Sequence, residues 1–222
     1  MPALVLDQRE NFLPECLTTS RKDLGSKVKT YRDFEWVIRE YPWVENGLFV
    51  TYVRDADPTS VIEAMTVRSL GTANGLRGVN ERGWEEISIV GAASLGEWTI
   101  AIAPAAFAGV SEELMRLLSK GREVLTHSKN IEAVSHFFVW KDGERTVYFD
   151  PLLRRGFGLD PMPASWESRL SEVGIDPRGE GPLPDGRFHV VEASFAMAAN
   201  YTGAQITPEF FTASTFVVGS AN

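Results

Sequence analysis

Three histidines, one cysteine and several close acidic pairs are what this 222-residue chain offers for chemistry. Metal binding is the first possibility. His127, His136 and His189 are scattered, and none stands in a His-x-x-x-His or Glu-x-x-His arrangement, the spacings that put two ligands on one helical face. His127 and His136 could meet across neighbouring strands, but one histidine at a strand end and another within a sheet is the simpler reading. Asp55-Ala56-Asp57 resembles a cation-binding pair, yet Asp57 before Pro58 is fully accounted for as a helix N-cap. Glu112 and Glu113 follow Ser111, where they favour a helix dipole.

Nucleophilic catalysis fares no better. Gly91-Ala92-Ala93-Ser94-Leu95-Gly96 is one residue too long for a nucleophile elbow and leads into another strand, so it reads as a hairpin turn. Cys16 has no histidine near it in sequence to activate a thiolate. The glycine-rich run Leu70–Gly83 lacks a Gly-Lys-Ser/Thr ending, so it reads as a loop and not as a phosphate cradle. What remains is Asp150, either an acid or base working with His127 or His136 or the stop of a strand before Pro151. Arg154-Arg155 offers an anion contact, with a solvated loop as the plainer reading. Trp43, Trp84 and Trp98 flank strands and helices, where an indole can line a groove. The candidate contacts to a partner or ligand are therefore Trp43, Trp84, Trp98, Asp150, Arg154 and Arg155. No residue is assigned as catalytic, cofactor-binding or metal-ligating, and no cofactor is expected.

The elements that must position these residues follow from periodicity. Thr30 with Asp33 makes a capping box, and Phe34, Val37, Ile38 and Tyr41 form one helical face. Gly47–Arg54 and Trp84–Ala92 read as strands, and Trp98–Ala103 as a strand returning from the Leu95-Gly96 turn. Ser111 caps a helix with Leu114, Leu117 and Leu118 as its buried stripe. Glu123–Thr126 is a short strand. Glu132–Trp140 and Glu144–Asp150 flank Asp142-Gly143, a strong signal for a two-residue hairpin turn. Ser165–Val173 is a short helix, Arg187–Thr202 a long one stopped by Gly203, and Thr207-Pro208-Glu209 opens a last one. The tail TFVVGSAN reads as an edge strand or a frayed end. Strands with interspersed helices and local hairpins predict an α+β fold: a mostly antiparallel sheet with helices packed on one face. Residues 1–29 are expected to be an N-terminal arm, with a short strand at Ala3–Leu6, and 30–222 a single domain.

Composition narrows the partners. A net charge of -8 repels phosphate backbones, which disfavours nucleic acid. A single cysteine suits a reducing compartment, and no apolar stretch is long enough to span a bilayer, so a soluble cytoplasmic protein is expected.

The ordered small motifs carry a resemblance. The strand from Trp98, then SEELMRLLSKGREV and SHFFVWKDGERTVYFDPLLRRGFGLDP, with GLFVTYVRDADPTSVIEAM before and VVEASFAMAANYTGAQITPEFF after, resemble the actinobacterial domain-of-unknown-function family 6461 over residues 30 to 212. The resemblance implies a fold and no activity. Three readings stand open. The first is a non-catalytic recognition or immunity-like protein that binds a protein partner. The second is a small-ligand-binding regulator with the Gly71–Gly83 loop as lid. The third is a hydrolase using Asp150 with His127 or His136.

Overall fold

The computed structural model describes residues 27–83, 88–104, 111–156, 161–179 and 181–221. The run GLFVTYVR forms β1 (Gly47–Arg54), and every residue in it except Arg54 is buried, so both of its faces need cover. Before it come a 3-10 turn (Tyr31–Phe34) and α1 (Glu35–Glu40). The expected capping box of Thr30 and Asp33 is present, with the Thr30 backbone N–H donating to Asp33 Oδ2 at 2.8 Å. After it come α2 (Pro58–Met65), β2 (Arg68–Asn74), α3 (Gly75–Arg82), β3 (Ile89–Leu95), β4 (Trp98–Pro104) and α4 (Glu112–Leu118). The chain continues through β5 (Glu123–Asn130), β6 (Ser135–Lys141), β7 (Glu144–Phe149), α5 (Ala164–Glu172), α6 (Val190–Thr202), α7 (Pro208–Ala213) and β8 (Thr215–Ser220).

The strands form one eight-stranded sheet in the order β2-β8-β3-β4-β1-β5-β6-β7, each neighbouring pair antiparallel. This is the α+β class expected. Asp142 and Gly143 turn β6 into β7 with φ of 50° and 81°, the positive values that a two-residue primed turn requires. One sheet face carries the larger apolar cluster, in which α1, α3, α5, α6 and α7 cover Val50, Tyr52, Ile102, Leu125 and Phe137. The other face is also covered, by α2 and α4 over Phe49, Val53, Ala101, Val124 and Trp140. Helices thus lie on both sides, one layer more than the single face expected.

Several sequence expectations need revision. Leu70–Gly83 is no loop: it holds most of β2 and all of α3. Gly71 takes φ 79° at a register shift between Ser69 and Thr72, a strand bulge. At Gly75 a Cβ would come within 2.9 Å of the Phe211 and Thr212 carbonyl oxygens, so that glycine serves close approach. The lid imagined there is part of the framework. The chain end is no edge strand, because β8 lies between β2 and β3. On α4 the buried positions are Met115 and Leu118, while Leu117 is 54% exposed. α6 begins at Val190 and not at Arg187, because His189 takes a left-handed conformation, and it is buried on all sides up to Ala199. The strand proposed from Trp84 begins at Ile89 among the described residues; Trp84 itself and the Ala3–Leu6 strand fall outside them.

Two glycines let helices approach the β3–β8 pair from opposite faces. A Cβ at Gly91 would lie 2.6 Å from Val79 Cγ2 of α3. One at Gly219 would lie 2.8 Å from Ile62 Cγ2 of α2 and against Thr66 Oγ1. Gly219→Ala should therefore lift α2 and cost about 2 kcal/mol in urea denaturation. Gly181→Ala, where nothing lies within 4 Å of the new Cβ, should stay within about 0.5 kcal/mol. Equal stability of the two variants would contradict the close-approach account.

Candidate functional site

Strand alternation sorts the β6 side chains. Phe137 and Val139 enter the larger cluster. His136, Phe138 and Trp140 take the opposite face, as period-2 geometry demands. On β7, Tyr148 lies opposite Phe138 and Arg145 opposite Trp140. The rings of His136, Phe138 and Tyr148 stack with centroids 4.9 to 5.8 Å apart. The Arg145 guanidinium lies 5.3 Å above the Tyr148 ring and 5.9 Å above that of Trp140.

α4 flanks this aromatic surface without covering it. Its buried Met115 accepts a hydrogen bond from Thr126 Oγ1 of β5 at 3.7 Å, and the Thr126 and Thr51 hydroxyls lie 3.2 Å apart. Glu112, in the first turn of α4, pairs with Arg145 at 2.6 Å. Between α4, β5 and the hairpin remains a cavity of about 270 Å³. Its apolar walls include Leu48, Phe49, Met115 and Phe138, and its rim includes Glu112, His136 and Arg145.

Trp140 also borders the cavity and is only 4% exposed, yet its indole N–H has no hydrogen-bond acceptor among the described residues. An indole nitrogen can only donate, and a buried donor left unpaired costs about 1–3 kcal/mol. At the rim, His136 Nδ1 lies 3.1 Å from Tyr148 Oη. Burial lowers the His136 pKa, an effect the Asp150 charge partly offsets. Burial and the same charge raise that of Tyr148.

The hydrolase trio is not assembled. His127 of β5 lies opposite Phe137 of β6 and packs on Phe195 of α6, against the larger cluster and on the sheet face opposite His136. Asp150 accepts the Ser135 hydroxyl and the backbone N–H groups of Leu152 and Leu153, at 2.8 and 2.9 Å for the latter two, and so caps a turn. The same turn holds Arg154 and Arg155. The Arg154 N–H donates to the Asp150 carbonyl and the Asp150 N–H to that of Arg155, and an Arg154 Nη reaches the Gly181 carbonyl at 3.4 Å. Trp43 is half-buried, edge-on to Tyr41. Trp98 is buried, donates to the Thr202 carbonyl at 3.2 Å and carries the Arg54 guanidinium on its face. None of these five residues lines the cavity under α4.

A second polar cluster escaped the sequence analysis. His189 caps α6 at φ 48° and is 4% exposed. Its Nε2 lies 2.6 Å from Asp185 and its Nδ1 3.0 Å from buried Glu192. Arg187 reaches both Glu192 and Glu45. The hydrogen bond to His189 holds the Asp185 pKa below the usual carboxylate range. The Asp-x-x-x-His-x-x-Glu spacing at a helix start was the available signal. Likewise, the alternation of Ser135–Lys141 already places His136, Phe138 and Trp140 on one face. Among the described residues no group of three or more His, Cys, Asp or Glu side chains could hold a metal ion, and no helix is long and apolar enough to cross a membrane.

His127 generates a pH test. Its imidazole is fully buried, its Nε2 lacks a partner, and desolvation lowers its pKa to about 3. The unfolded chain takes a proton near pH 6.5 that the folded protein refuses, so stability must fall as pH drops from there towards 3. One such group contributes about 1.4 kcal/mol per pH unit over that window. His127→Leu should flatten the acid limb of the urea-denaturation profile between pH 6 and 4; parallel limbs would contradict neutral burial.

No curated protein and no solved structure matches the chain. A family model described as a family of unknown function, DUF6461, matches residues 27–222. The chain therefore belongs to family DUF6461.

Proposed function

We infer that this protein binds a small organic ligand beneath α4 and performs no bond chemistry on it. The observation that carries this reading is convergence. The β6–β7 hairpin, β5 and α4 together direct Met115, His136, Phe138, Trp140 and Arg145 onto one space of about 270 Å³. Apolar walls with a few polar groups are the usual make-up of small-molecule sites. A sensor or regulator that reports occupancy through α4 is the role that fits such a site.

A macromolecular partner, in the recognition or immunity-like sense, is the second reading, and one feature favours it. Ala133 of the β5–β6 turn borders a cavity of about 490 Å³ together with Leu153 and Phe188. Those two side chains are 64% and 42% exposed, and Ile131 and Val134 beside Ala133 are 74% and 40% exposed. Apolar exposure of this kind marks contact surfaces. Nucleic acid is disfavoured by the net charge of -8. The single cysteine supports a cytoplasmic setting, and the resemblance supports an actinobacterial source.

Thermal-shift screening separates the readings, since a ligand that binds only the native state stabilises it by about 2.7 kcal/mol at a hundredfold excess over Kd. Compounds of one or two rings should raise the Tm by several degrees, and Met115→Trp, which fills the cavity from α4, should abolish the shift. No shift with any compound, or the same shift in Met115→Trp, removes the ligand reading. A defined protein partner lost on Phe188→Asp would favour the second.

A further inference from the structure

Resting on the reading of the α4 cavity as a ligand site, the geometry points to the polarity and orientation of the molecule it takes. That molecule is amphipathic and uncharged: an apolar body of one or two rings, with one head that both donates and accepts hydrogen bonds, as a carboxamide does. The head lies at the open end of the cavity, beside Ser128, Asn130 and His136.

Polarity changes along the wall in the strand direction. Register sets Trp140 opposite Val124, Phe138 opposite Thr126 and His136 opposite Ser128. Successive rows on one sheet face lie about 7 Å apart, since each strand residue advances roughly 3.3 Å. The first row is closed and apolar, with Trp140 4% exposed and Val124 fully buried. In the second, the Thr126 hydroxyl is already engaged with Met115 and Thr51. In the third, Ser128 and His136 are half-buried and line the cavity, and Asn130 follows one row further on. The cavity thus has an apolar inner end and a polar mouth. From Trp140 to His136 the wall runs about 13 Å. An apolar cavity of roughly 150 Å³ holds a single benzene ring, so about 270 Å³ admits one or two rings and a short head.

The groups at the mouth decide what the head must be. Asn130 Oδ1 accepts the Val134 N–H at 2.8 Å, which leaves its Nδ2 to donate elsewhere. His136 Nδ1 is held by the Tyr148 hydroxyl, which leaves Nε2. Neither of these nitrogens, nor the Ser128 hydroxyl, has a partner among the described residues. An apolar group placed there would strip water from all three without return. Formal charge on the lining, by contrast, is already paired or turned away. Arg145 binds Glu112 at 2.6 Å. Lys129 lies opposite Leu48 of the larger cluster, and its ammonium donates to the Glu45 carbonyl at 3.0 Å. Burial lowers the His136 pKa, so that ring is neutral at pH 7. A charged head would therefore give up hydration and find no unpaired counter-charge.

2-Naphthamide, 2-methylnaphthalene, 2-naphthoate and 2,6-naphthalenedicarboxamide share one body and differ only at its ends. In calorimetric titrations of the full chain at pH 7, 2-naphthamide should bind about tenfold more tightly than 2-methylnaphthalene, the factor expected of one hydrogen bond. 2-Naphthoate and the dicarboxamide should each bind at least about tenfold more weakly than 2-naphthamide, one for its charge and the other for a polar group forced into the apolar end. In the double variant Ser128→Ala, Asn130→Ala the affinities of 2-naphthamide and 2-methylnaphthalene should converge. Should that variant fail to fold, a crystal structure of the wild-type complex decides instead, with the carboxamide expected within about 3.2 Å of Ser128 Oγ or Asn130 Nδ2. Any of the other three compounds binding as tightly as 2-naphthamide, or a carboxamide preference that survives in the double variant, overturns the proposal. If none of the four binds while other compounds raise the Tm, the amphipathic class is wrong and the ligand reading stands. If no compound of any kind binds, both fall.

Discussion

The central strand sets the terms for everything around it. β1 is apolar on both faces and pairs with β4 on one side and β5 on the other. A strand of that kind is stable only inside a sheet with cover above and below. The cover is unequal. One face receives five helices, including α6, which is buried on every side. The other receives α2 and α4, of eight and seven residues. At 1.5 Å per residue, α4 spans only about 10 Å. It seals Met115 and Leu118 over the middle of the sheet and stops short of closing over the rings of β6 and β7. The cavity therefore arises from the mismatch between a wide apolar sheet face and a short helix above it.

Polar burial takes two forms in this molecule, and the contrast separates framework from candidate site. At the start of α6, buried His189 and Glu192 find partners in each other and in the more exposed Asp185 and Arg187, as buried polar groups must. That network holds the left-handed His189 and fixes where the longest helix begins. His127 and Trp140, by contrast, each keep a buried nitrogen without a partner. His127 is enclosed by Tyr52, Phe137 and Phe195, and its deficit is answered by staying neutral. Trp140 has no such answer, because the indole proton cannot be given up. Its proton stays buried and unbonded, at a cost that the apolar packing around the ring must offset.

Local chemistry made much of the fold legible. Asp57 with Pro58, Ser111 before Glu112, Thr207 with Pro208 and Asp142-Gly143 each set a boundary through capping or turn geometry, and each does so in the folded chain. Distant partners decided the rest. Gly71 and Gly75 read as loop residues because glycine signals a break, whereas here one makes a bulge and the other admits the backbone of α7. β8 reads as an edge strand or a frayed end because nothing local reveals that β2 and β3 flank it. The site was half visible: alternation along SHFFVWK put three rings on one face, but only tertiary packing shows that α4 stands beside them. The tryptophans chosen by position, Trp43 and Trp98, are packed into the framework, while Trp140, on the same strand as two of those rings, borders the cavity.

The central claim is a buried indole N–H that lacks an acceptor in the ligand-free protein, and nitrogen–proton correlation NMR of the tryptophan side chains addresses it most directly. Trp98, which donates to a carbonyl, supplies the internal reference. The account predicts that the Trp140 indole proton resonates upfield of that of Trp98 and exchanges slowly with deuterated solvent, as a proton both unbonded and shielded must. A downfield, hydrogen-bonded position, or exchange as fast as that of an open side chain, would contradict it.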